Sequence, residues 1–160
     1  MNAKTSQANT LEQVVDQTAQ CVASMLECLL AERENLIARN SEAIQESTKN
    51  KLALFDRLEQ LEARRHDLIL AAGFSEDGGM DRLLAQTANS ARVKLRWNQV
   101  LDDLAACRDV NQINGGILEL GRRQAEQALA ILRGQVAQPR LYGAGGDTSV
   151  ALGNRELGKA

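Results

Sequence analysis

From Leu11 onward, apolar residues return every three or four positions: Leu11, Val14, Val15, Val22, Met25, Leu26, Leu29, Leu36 and Ile37. Glu12, Asp16, Gln17, Glu27, Arg33 and Glu34 fill the opposite side. That spacing predicts an amphipathic helix. Thr10 and Gln13 form a T-x-x-Q pair, whose side chains can each satisfy a backbone N–H left free in a first turn. The helix is therefore expected to begin near residue 10 and to run to about residue 39. Asn40 and Ser41 are both suited to N-cap a second helix. That helix, expected over 41–72, carries Ile44, Thr48, Leu52, Phe55, Leu58, Leu61, Leu68 and Ile69, with Gly73 at the C′ position. So short a corner makes the first two helices antiparallel neighbours.

"GFSEDGGMD", residues 73–81, reads as a loop, and "MDRLLAQTA" as a short helix over about 80–88. The longest pattern follows, predicting a helix over 91–134. Its apolar seam steps by alternating fours and threes through Val93, Trp97, Val100, Leu104, Cys107, Asn111, Asn114, Leu118, Gly121, Ala125, Ala128 and Leu132. That is a coiled-coil-like repeat, and at about 1.5 Å per residue it makes a helix roughly 60 Å long. The seam changes character along its course. It is large and apolar at first, polar at Asn111 and Asn114, and small at Gly121, Ala125 and Ala128. Gly115 and Gly116 stand in its middle, each costing roughly 1 kcal/mol against alanine.

After Gly134 the composition shifts. Residues 135–160 hold the only proline and, counting Gly134, half of the twelve glycines, and they lack helical periodicity. They are expected to form a flexible tail. Leu141, Tyr142, Val150, Leu152 and Leu157 are spaced along it, as in segments that order on meeting a partner. The fold expected is all-α: an antiparallel helical bundle or coiled coil, 1–134, with one very long C-terminal helix, followed by a Gly-rich tail, 135–160. A core built mainly from Leu, Ala, Val and Ile agrees with this, since the chain has two Phe, one Tyr and one Trp.

The net charge of −2 offers no basic excess to neutralise phosphates, so nucleic-acid binding has no electrostatic support. No apolar run reaches the roughly 18–20 residues that span a bilayer, and the N-terminus lacks a signal peptide's apolar core. A cytoplasmic location is expected, without membrane insertion. Cys21, Cys28 and Cys107 lack C-x-x-C spacing and read as small buried side chains. The one histidine, His66, has no second His or Cys pair with which to hold a metal. "GAGGD", 143–147, lacks the lysine of a phosphate-binding loop. Neither an enzyme nor a cofactor is expected.

The stretch "DVNQINGGILELGRRQAEQALAIL", residues 109–132, together with "LYGAGGDTSV", 141–150, and the closing "LGNRELGKA", resembles the flagellar export chaperones of the FlgN type. Two spaced asparagines, then Gly, aliphatics and a Q-A-L-x-x-L close carry the first part; an L-Y-G-x-x-G-x-T-S-V-like segment carries the second. The first two helices agree in pattern, including a lysine-rich start to the second in "TKNKLALFDRLEQLE". Gly116 and Gly145 depart from the family's usual residues.

The resemblance implies a chaperone for the hook-associated proteins that join flagellar hook to filament. It would hold their C-terminal helices, prevent premature self-association, and deliver them to the flagellar type III export gate and ATPase. Cargo contact would fall to Asn111, Asn114, Ile117, Leu118, Gly121, Ala125, Ala128, Leu129 and Leu132, in the helix-in-groove mode. Docking on the export gate, or tail binding, would fall to Leu141, Tyr142, Gly143 and Val150. The same residues admit a plainer role. The glycines would let the first helices cross closely, Asn111 and Asn114 would hydrogen-bond inside a bundle, and Tyr142 would pack its ring on it. The alternative function is a structural coiled-coil subunit without cargo. A groove left open could also pair two copies when cargo is absent.

Overall fold

The computed structural model describes residues 3–133 other than 76 and 88, with side chains from Thr10 on. Four helices form: α1 (Ala3–Ile37), α2 (Ser41–Ala71), α3 (Gly79–Ala85) and α4 (Ser90–Leu132). The all-α bundle with one long C-terminal helix is thus the fold, and no strand occurs among the described residues. The chain divides into two units, Met1–Arg122 and Arg123–Ala160. The expected tail, with Gly134, lies outside the described residues.

Two expected helix ends are capped as their residues dictate. The Asn40 side chain accepts a hydrogen bond from the Ala43 N–H at 3.2 Å and caps α2. Gly73 takes φ +80, while the Gly73 and Phe74 N–H groups donate to the Leu70 and Ile69 carbonyls. That pair of bonds is a Schellman closure, which needs a left-handed residue at C′. The same closure ends α1, where the Arg39 and Asn40 N–H groups bond the Leu36 and Asn35 carbonyls. There the left-handed position, φ 55, falls to Arg39. One start is corrected. The helix begins at Ala3, so Thr10 lies inside it and the T-x-x-Q pair does not cap it. No Pro or Gly precedes Thr10 to stop a helix from extending upstream.

α1 and α2 run antiparallel and close together, and thiols mark the approach. Cys21 Sγ donates to the Leu54 carbonyl at 3.5 Å and Cys28 Sγ to the Ser47 carbonyl at 3.4 Å. α4 runs parallel to α1. Cys107 Sγ meets the Val22 carbonyl and Asn114 Nδ2 the Leu29 carbonyl, both across a separation of 85 residues. The core has two clusters. One gathers Leu11, Val15, Ile69 and Val93 with Met80, Leu83 and Leu84 of α3. The other gathers Val22, Met25 and Leu29 with Val100 and Cys107. Trp97 packs against both and lies 5.5 Å beneath the Arg65 guanidinium, an attraction worth about 0.5–1 kcal/mol at a site that water reaches. At the α2–α3 turn, a Cβ on Gly79 would meet Ile69 Cγ2 at 2.5 Å, so close packing demands glycine there.

On α4 the row Val93, Val100, Cys107 and Asn114 is buried throughout. Its flank changes. Trp97 and Leu104 are half-buried, but the next residues of that row, Asn111 and Leu118, are exposed. Asp103, Val110 and Ile117, on the other flank, are half-buried instead. The expected seam therefore holds for its first third and then turns about its buried row.

Candidate partner-binding site on α4

The middle of α4 is fixed by a polar cluster inside the first unit. Asn114 is 1% exposed and donates from Nδ2 to the Leu29 carbonyl and to Glu32 Oε2, each at 2.9 Å. Both partners are acceptors, which sets the orientation of the amide. Glu32 is itself buried, and its other carboxylate oxygen takes the Lys51 ammonium at 2.7 Å. Asn35 Nδ2 donates to the buried Ser47 hydroxyl beside it. One polar layer thus ties α4 to α1 and α1 to α2. Asn114 Oδ1 is buried without a hydrogen-bond partner among the described residues.

The predicted contact residues separate around this layer. Asn114 faces inward, its side chain held by α1, as in the plainer role of a residue hydrogen-bonded inside the bundle. Asn111, three residues earlier, is exposed. In the first unit Ile117 is half-buried, and Leu118 and Gly121 are exposed. In the second unit Ala125, Ala128, Leu129 and Leu132 are exposed and share one face of the helix at threes and fours, Leu132 being 83% exposed. Leu141, Tyr142, Gly143 and Val150 lie outside the described residues.

The glycines do not serve close crossing. A Cβ added at Gly115, Gly116 or Gly121 would meet nothing within 4 Å. After Asn114 the seam positions Leu118 and Gly121 are exposed among the described residues. Sequence reasoning missed Ile113, Leu120 and Ile131, which are exposed and apolar. They stand off the seam, and large aliphatics at outward heptad positions were the signal available.

The three thiols are held above their ordinary range by burial, with Glu32 adding at Cys28 and Asp103 at Cys107, so they stay protonated and poorly nucleophilic. No group of three His, Cys, Asp or Glu able to hold a metal occurs among the described residues. No described helix is long and apolar enough to cross a membrane. Exposed aliphatics gathered on one helix are the usual mark of a protein–protein contact.

A family model described as FlgN protein matches residues 1–149. The flagella synthesis protein FlgN of Salmonella typhimurium is 28% identical over 143 residues, covering 88% of this chain and 91% of that protein. The protein of that name from Salmonella typhi gives the same figures. That of Escherichia coli (strain K12) is 28% identical over 141 residues, covering 87% and 90%. No solved structure matches the chain.

Proposed function

The chain belongs to the FlgN family, and from that premise we propose that it is a cytoplasmic export chaperone of flagellum assembly. Its role lies in flagellum assembly, the function named in its relatives. Its cargo is the C-terminal helical region of the hook–filament junction proteins. The chain keeps that region from self-associating and delivers it to the flagellar type III export apparatus. The observation that carries the reading is aliphatic surface on late α4 that is exposed among the described residues. Leu118 and Leu120 are exposed in the first unit, and Leu129, Ile131 and Leu132 in the second. An amphipathic helix laid on such residues removes apolar area from water at about 25 cal/mol per Å². Small side chains at Gly121, Ala125 and Ala128 let a guest helix approach closely. The tail, with Tyr142, is assigned to docking on the export gate.

The test is co-purification with the junction proteins, then pull-down with their isolated C-terminal segments. Leu118→Asp should weaken capture at least tenfold while the urea midpoint stays within experimental error. Deleting residues 135–160 should leave a helical, soluble protein that delivers cargo poorly. If Leu118→Asp and Leu129→Asp both captured cargo at full strength, late α4 would not be the binding surface. A proportionate fall in melting temperature and binding would favour a structural coiled-coil subunit.

A further inference from the structure

A second surface lies within the first unit, on the side of the α1–α4 pair away from the polar layer. An open cleft of about 610 Å³ begins there, between Glu12, Asp16 and Gln20 of α1 and Arg92, Arg96 and Gln99 of α4. Arg92 bridges to Glu12 and Asp16, and Arg96 to Asp16, so ion pairs span this end. The two helices run parallel in fixed register, so the rows that line this cleft can be followed beyond it along each helix by sevens. From Asp16 the α1 wall passes to Ala23, Leu30 and Ile37. From Gln99 the α4 wall passes to Ala106, Ile113 and Leu120. On the rows nearer the buried ones stand half-buried Leu26 of α1 and Asp103, Val110 and Ile117 of α4. The walls change from charged to apolar, and Leu30, Ile37, Ile113 and Leu120 are all exposed.

The rims are acidic. Gln20 is followed at sevens by Glu27 and Glu34, and Leu95, also at the cleft, by Asp102 and Asp109; all four carboxylates are exposed. Asp109 has Arg108 beside it at 3.8 Å, on another row of α4. On the rows that bound the cleft, the basic residue beyond Arg96 is Arg33. An apolar trough with carboxylates along both edges selects a helix of matching form. We propose that the α1–α4 cleft is a docking site for an amphipathic helix of another protein, one whose apolar stripe is flanked by lysine or arginine. That helix completes a four-helix arrangement with α1, α2 and α4. The stretch from Ala23 to Ile37 is about four turns long, roughly 22 Å. The site uses residues 23–37 and 99–120; it shares Leu120 with the surface proposed for cargo on late α4, and Leu30 and Ile113, which lie outside that surface, tell the two apart.

The probe is a synthetic 21-residue helix with leucine at heptad positions a and d and lysine at e and g. Its counterpart carries glutamate at e and g. Titrated into the full chain, the lysine peptide is expected to bind at least tenfold tighter than the glutamate peptide, with affinity falling as salt rises. Leu30→Asp and Ile113→Asp, both at exposed positions, should each weaken it at least tenfold without moving the urea midpoint. Glu27→Lys with Glu34→Lys should reverse the preference between peptides. Equal binding of both peptides overturns the proposal, as does indifference to Leu30→Asp and Ile113→Asp. Loss on Leu129→Asp in their place would assign the peptide to late α4 and also overturn it. A concentration-dependent dimer abolished by Ile113→Asp would make the occupant a second copy. A gain in peptide affinity on deleting 135–160 would make it the chain's own tail. Either result would refute a foreign helix.

Discussion

Removing the Lys51 cation should destabilise the protein more than its partly exposed position suggests. The Lys51 side chain is 27% exposed, but that of Glu32 is only 4% exposed. In Lys51→Met the carboxylate remains buried, with the Asn114 amide still donating to it. Stripping one member from a buried pair costs about 3–5 kcal/mol. Water reaching the lysine position lowers the expectation to about 2 kcal/mol. Replacing the whole layer should behave differently. In Lys51→Met/Glu32→Leu/Asn114→Leu no charge is left to desolvate, and the unpartnered Asn114 Oδ1 disappears as well. Such exchanges are neutral or stabilising by about 1–4 kcal/mol elsewhere. The triple variant should therefore equal or exceed the parent. The assay is urea unfolding followed by far-UV circular dichroism, with all variants required to share one m-value. A Lys51→Met protein within about 0.5 kcal/mol of the parent would refute the buried-pair argument. So would a triple variant that lost the sum of its three single changes.

Other expectations follow from local geometry. Gly115→Ala and Gly116→Ala, with open space around each missing Cβ, should each stabilise by about 1 kcal/mol, read as a melting temperature several degrees higher. A fall would mean that α4 is not helical there. Arg39→Gly relieves a non-glycine residue at φ 55 and should raise stability by about 0.5–1 kcal/mol in the same urea assay. Cys21, Cys28 and Cys107 should label slowly with a thiol reagent at pH 8 and rapidly in urea, since burial raises all three. An acid raised on folding favours its neutral form. Its contribution is thus intact at neutral pH and is lost as pH climbs beyond the ordinary thiol value of about 8.5. The urea midpoint should fall accordingly between pH 8 and pH 10, and a midpoint that rose would contradict the sign.

Helix identity was legible because periodicity and caps are local properties. Threes and fours across 11–37, 44–69 and 93–132 required helices, and Asn40 and Gly73 marked ends that the chain adopts. The start of α1 was not legible, since nothing before Thr10 opposes helix and nothing there fixes its end. Nor could the sequence assign a left-handed conformation to Arg39, which the α1–α2 corner imposes. The seam of α4 was read as one stripe from end to end. Its residue types were correct, but periodicity fixes only which positions share a face, not which neighbour covers that face. The two asparagines show the difference most clearly. Asn111 and Asn114 are the same residue three positions apart. Only contact with Leu29 and Glu32, more than eighty residues earlier, turns one inward and leaves the other in water. The sequence determined the helices, their amphipathic faces and the family motifs. Tertiary structure alone decided how far along α4 those faces are covered, because burial depends on where another helix lies.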